Sequence, residues 1–149
     1  MTGKTHEMLY ITEKSFNRQI LWLSNLPNKT RLELVIWLYP ESIADSIIGF
    51  NTNSPTTVNA LPVTSYPDNI VGRCTQRLQI TADLIETIAF NQRCFIGECD
   101  SLCIYHPEKA EWDASVILHE GMILIRDSSL LVNPEALGFK VSLHAPSWW

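Results

Sequence analysis

The sequence predicts an α+β fold in a single domain, residues 1–149, with about three helices packed on one face of a mixed, mainly antiparallel sheet. Three observations predict it. Two segments place apolar residues at helical spacing behind a capping residue. Several short runs rich in β-branched and aromatic residues lie between turn signals. The last third holds three such runs joined by a short loop and a tight turn, the pattern of an antiparallel meander. A chain of 149 residues has the size of one domain and buries about 70% of its extended surface on folding, so it needs neither disulfide nor metal for stability. Its 46% hydrophobic and 18% charged residues exclude a disordered chain, which could not offset its ordering entropy.

The elements follow in order. Residues 6–11 read as a strand. Thr12 is placed to cap a helix over 13–24, with Phe16, Ile20 and Leu23 on one face, and Leu26-Pro27-Asn28-Lys29 ends it. Over 31–39, Leu32, Leu34, Ile36 and Leu38 alternate with Glu33, Val35, Trp37 and Tyr39, and the β-branched and aromatic content favours a strand over a helix. Pro40 stops it, and 41–49 reads as a short helix. Segment 51–69 carries three prolines and no sustained period; it reads as a long loop that wraps the core, anchored by Val58, Leu61, Val63 and Tyr66.

Order returns with a strand over 74–80. Thr81 caps a helix over 82–92, whose Leu84, Ile85, Ile88 and Ala89 form the apolar stripe. Asp83 and Glu86 fall in its first turns, where the helix dipole favours acids. A short strand is predicted over 93–97. Strands over 102–106, 112–119 and 122–126 form the meander, joined by loop 107–111 and the Glu120-Gly121 turn. Asn133-Pro134-Glu135 opens a helical turn that Gly138 closes, and 139–144 is the last strand.

The whole net charge of −5 sits in residues 98–120, where Glu98, Asp100, Glu108, Glu111, Asp113 and Glu120 face the single base Lys109. With a pI near 5.3 and scattered bases, the chain lacks the clustered Lys and Arg that phosphate neutralisation requires, which excludes nucleic acid as a partner. No apolar stretch approaches the roughly 20 residues that span a bilayer, and residues 1–7 are too polar for a signal peptide. The expected location is cytoplasmic, where four cysteines stay reduced.

No catalytic, phosphate-cradling or metal motif is present. The nearest to a zinc set is Cys94, Cys99, Cys103 and His106. Alternation along a strand sends Cys103 and His106 to opposite faces, so neither a metal nor any cofactor is expected. The meander register pairs Cys103 with Ser115 and Tyr105 with Asp113, and would set Cys99 opposite His119, a cross-strand pair with the elements of a thiolate nucleophile. His119-Glu120-Gly121 begins like a metalloprotease helix, but position 123 is isoleucine, and the region reads as a turn. In that register Trp112, Ala114, Val116 and Leu118 share a core face with Leu102 and Ile104, while Asp113, Ser115, Ile117 and His119 face outward.

Three functional readings follow. The leading one is a non-catalytic interaction protein, such as a small acidic inhibitor, an immunity-type antidote or an accessory subunit. It would dock a basic protein surface, or a second copy as a homodimer, through Glu108, Glu111 and Asp113, with the terminal Trp148 and Trp149 as aromatic anchors. The rival is a small-molecule-binding domain or small enzyme. Its pocket would lie between helices and sheet, lined by Trp22, Trp37, Tyr39 and Tyr105, with Cys99 and His119 as reactive groups. A zinc-stabilised module is the third.

Overall fold

Burial on both sides of a single sheet is what organises this molecule. The computed structural model describes residues 8–39, 52–63, 72–131 and 135–145. The chain order is β1 (Leu9–Thr12), α1 (Phe16–Ser24), β2 (Glu33–Leu38), β3 (Thr52–Asn53), β4 (Arg73–Thr75), β5 (Leu78–Gln79), α2 (Ala82–Phe90), α3 (Gln92–Glu98), β6 (Cys99–Tyr105), β7 (Ala114–Ile117), β8 (Met122–Ile125) and β9 (Val141–Ser142). The fold is α+β, as the sequence predicts. The nine strands run β3-β4-β2-β6-β7-β8-β1-β9, with β5 also paired to β2. Every pairing among the described residues is antiparallel, in keeping with the mainly antiparallel sheet expected.

The three helices among the described residues pack on one face. Phe16, Ile20, Trp22 and Leu23 of α1, Leu84, Ile85 and Ile88 of α2 and Phe95 of α3 cluster there with Leu34, Ile36, Leu102, Ile104, Ala114, Val116, Ile123 and Ile125 of the sheet. Each sheet residue in that set is two positions from the next on its strand, as pleating requires. Ser15, not Thr12, caps α1, accepting the Arg18 N–H at 3.3 Å. Thr12 instead ends β1 and donates its hydroxyl to Met122 Sδ. Thr81 caps α2 as expected, accepting the Leu84 N–H at 3.1 Å. Residues 93–97, expected as a strand, lie in α3. Seven residues containing Cys, Phe and Ile give no clear period, and only Phe95 is buried.

The opposite face is the larger correction. Expected to meet solvent, it is a second core of Val35, Trp37, Cys103, Tyr105, Trp112, Ile117, Met122 and Leu124, roofed by Val58, Ala60 and Val63 of the Pro-rich segment. The covering loop is therefore real, but Leu61 is exposed and Ala60 takes its place as an anchor; Tyr66 lies outside the described residues. Small polar side chains made this face look outward-facing. Ser101, Cys103 and Ser115 satisfy one another in the interior, with Cys103 Sγ 3.2 Å from Ser115 Oγ and 3.7 Å from Ser101 Oγ. Trp112 belongs to this second core and not to the helix-side face.

Other expectations resolve locally. The strand over 74–80 is split into β4 and β5, both on β2. The last strand is only Val141–Ser142, paired with β1. The helix expected over 41–49, Asn133-Pro134, and Trp148 and Trp149 all lie outside the described residues.

Two arginines tie the layers. Arg77 donates to Glu33 Oε1 at 2.7 Å, to the carbonyls of Asn59 and Lys109 at 2.6 Å each and to that of His106 at 2.9 Å. Its guanidinium also sits 4.8 Å from the centre of the Tyr105 ring, so one planar fork joins β2, the roof and the β6–β7 loop. Arg18 likewise binds Glu13 and the Leu137 carbonyl and lies 4.5 Å from the centre of the Phe139 ring, fixing the C-terminal segment to α1.

The meander register is the one the loop length predicts: Ser101 with Ile117, Leu102 with Val116, Cys103 with Ser115 and Ile104 with Ala114. It stops at Ser101. On the other side of β6, Trp37 pairs with Ser101 but Leu38 with Cys99, so Asp100 is the extra residue of a β-bulge. The bulge turns Cys99 into the helix-side core, whereas strict alternation would put it on the face of Ser101 and Cys103.

Candidate functional site

The predicted site residues separate into two histidine-centred clusters at opposite ends of β7, and the structure adds a surface on α2. At the turn end, His119 does not meet Cys99 across a ladder, because residues 118–120 form the turn. Tyr39 stands against it, sharing a 3.1 Å hydrogen bond between its hydroxyl and His119 Nδ1. Asp100 Oδ1 lies 3.9 Å from the same nitrogen, and Glu120 Oε2 lies 3.5 Å from Nε2. Burial, then the Asp100 charge, pushes the Tyr39 hydroxyl up to about 12, so it stays protonated. Cys99 is fully buried, its thiol bonded to the Ser101 carbonyl at 3.3 Å. Burial, reinforced by Asp100, pushes its pKa well above the usual thiol range, and it supplies no thiolate at neutral pH. Burial also raises Cys74 and Cys103 to about 11. The fourth thiol, Cys94, is half-buried on α3.

The pocket expected between helices and sheet does not assemble. Trp22 packs on the helix side, whereas Trp37 and Tyr105 belong to the far core. There the Trp37 indole N–H donates to the Tyr105 hydroxyl at 3.1 Å, and that hydroxyl donates to the Leu61 carbonyl at 2.7 Å. These groups hold the roof in place. A shallow groove of about 230 Å³ remains at its edge, lined by Leu61, Pro62, Glu111, Trp112 and Arg126, with the Arg126 guanidinium 4.1 Å from the centre of the Trp112 ring.

At the loop end, Asp113 corrects the expectation of a three-acid rim. It is 3% exposed and fully engaged: Oδ2 accepts from His106 Nδ1 at 2.6 Å and Oδ1 from Lys109 Nζ at 2.9 Å. The geometry follows from the loop. Lys109 N bonds to the His106 carbonyl, Glu108 takes a left-handed φ of 67°, and Lys109 falls four residues before Asp113. Burial alone would push the Asp113 carboxyl up. The hydrogen bonds and charges of Lys109 and His106 outweigh it, and its pKa lies below the ordinary value. Asp127, just past β8, brings Oδ2 to 3.6 Å from His106 Nε2. The sequence reading missed this His106–Asp113–Asp127 group. The signal it held was an acid and a histidine flanking one hairpin loop, with a lysine between them. Glu108 stays exposed at the loop tip, and Glu111 is exposed beside Arg126 at 3.3 Å.

On α2, Asp83, Glu86 and Phe90 follow one another at i, i+3 and i+7 on the outer face. With Thr87, Ala89 and Asn91 they line an open depression of about 680 Å³. Phe90 is 90% exposed, and Ile96 on α3 is 53% exposed. No helix among the described residues is long and apolar enough to cross a membrane. Comparison of the chain with protein-family models, with curated proteins and with solved structures finds no match.

Proposed function

We propose that this chain is a non-catalytic binding protein that docks a basic protein partner, in the manner of a small acidic inhibitor, an immunity-type antidote or an accessory subunit. The observation that carries the reading is Phe90. A phenylalanine 90% exposed on a helix whose other side is fixed by Leu84, Ile85 and Ile88 is costly to leave in water and well suited to fill a partner's apolar pocket. Asp83 and Glu86 on the same face complement a basic rim around such a pocket, and the net charge of −5 favours fast encounter with it. The exposed Glu108 and Glu111 add to the field. Asp113, committed to His106 and Lys109, does not serve as a contact. The buried, protonated thiols support a binding role over nucleophilic catalysis, and the setting that suits reduced cysteines is the cytoplasm.

The test compares wild type with Phe90→Asp as bait in lysate of the native cell, and then measures association with the purified partner. Substitution at Phe90 is expected to leave folding stability within about 0.5 kcal/mol and to abolish capture. Asp83→Asn with Glu86→Gln should slow association at low salt, with the difference shrinking as salt rises. A partner that binds Phe90→Asp as tightly as wild type would overturn the reading, whether it binds through Trp148 and Trp149 or as a second copy of the chain.

A further inference from the structure

The His106 cluster holds an arrangement that the docking role does not use. Asp113 Oδ2 lies 2.6 Å from His106 Nδ1, so that nitrogen faces a carboxylate and the Nε2 edge of the ring is turned to the other side. Nε2 faces Asp127 Oδ2 at 3.6 Å. A nitrogen and a carboxylate oxygen at this separation converge on one point, where a cation can be shared between them. Asp127 is held in that aim from behind, since its Oδ1 accepts the Ser129 backbone N–H at 3.0 Å and the Ser129 hydroxyl at 2.8 Å. Backbone bonds fix the frame: Arg126 N and Asp127 N both donate to the Asp113 carbonyl, at 2.8 and 3.1 Å.

We propose that His106 Nε2 and Asp127 Oδ2 bind one divalent transition-metal ion of the zinc class, with Asp113 as the carboxylate behind the imidazole and water completing the coordination. Two ligands each about 2.0–2.1 Å from a tetrahedral ion stand about 3.3 Å apart, close to the separation observed. A histidine whose second nitrogen donates to a carboxylate is the usual form of a metal-binding imidazole, because that bond fixes the tautomer and raises basicity. Nitrogen and oxygen donors suit zinc, nickel and cobalt better than magnesium or calcium. The two carboxylates outnumber the single Lys109 ammonium around the imidazole, which favours a cation. His106 and Asp127 are each about one-third exposed on their side chains, so an ion reaches them without unfolding. The site is an addition to a fold built on its own cores; chelation should not unfold it.

The experiment titrates the full chain carrying Cys94→Ser, which removes the most accessible thiol, with zinc chloride. Calorimetry and the imidazole nitrogen resonances of His106 are the readouts. One equivalent of zinc should bind and shift His106 Nε2, and His106→Ala or Asp127→Asn should each abolish binding; Asp127→Asn keeps the melting temperature, whereas His106→Ala lowers it by removing a partner of the buried Asp113. Asp113→Asn should weaken binding about 10–100-fold. Absence of binding in the parent, or a stoichiometric site that survives either His106→Ala or Asp127→Asn, would overturn the proposal.

Discussion

Asp113 keeps a charge that burial alone would remove, and this sets how it acts on stability. Its folded pKa is depressed below the ordinary value near 3.9. The unfolded chain therefore takes up a proton at that site before the folded one does. The Asp113 contribution is complete above the unfolded value and is lost as pH falls through the folded value. Asp113→Asn should cost about 1.5–3 kcal/mol at neutral pH, the range for hydrogen bonds to a charged group, and much less in strong acid. Urea midpoints measured across the acid range should show the two proteins converging as pH falls. Parallel curves would mean that the carboxylate is not ionised in the native state.

At the scale of elements, the roof depends on few ties, and Arg77 is the main one. Lysine in its place keeps the charge but cannot span Glu33, Asn59, His106 and Lys109 from one planar group. Arg77→Lys should lose about 1.5–3 kcal/mol and open the segment around 52–63 to limited proteolysis, while α1 and α2 stay protected. Uniform cleavage across the chain would place the loss elsewhere. Much at this scale was legible beforehand. The length of loop 107–111 gave the Cys103–Ser115 register, Thr81 announced α2, and Val58 and Val63 marked the roof. Sidedness was not legible. Ser115 reads as solvent-facing because its partner, Cys103, lies across the ladder and is in turn tied to Ser101, contacts not visible along the chain. The His106–Asp113 contact escaped for a related reason. It needs the left-handed turn at Glu108, which no glycine advertises.

For the whole molecule, the order of strands predicts where opening begins. β2 and β6 lie inside the sheet and are buried on both faces, whereas the outermost β3 and β9 are two residues each. Short edges give little template for a second chain to extend the sheet. Amide exchange should be slowest in β2 and β6, close to the global unfolding free energy, and fast in β9 and β3. If β9 exchanged as slowly as β6, the C-terminal segment would be part of the central cooperative unit and not a strap held by Arg18.

The extra residue at position 100 has a consequence for how the helical layer is attached. Side-chain direction along β6 is a matter of parity, and Asp100 changes the count by one between α3 and the rest of the strand. Everything before it is thereby phased to the helix side. Excising Asp100 alone would restore an unbroken alternation with Cys99 beside Ser101, still opposite Leu38 and still facing the helix side, so α3 with Phe95 keeps its place. Straightening the bulge with every residue kept would instead turn Cys99 toward Trp37 and set α3 against the side roofed by Val58 and Val63. Loss of the single residue at 100 should therefore leave the helical layer where it is, the bulge and not the layer taking up the difference.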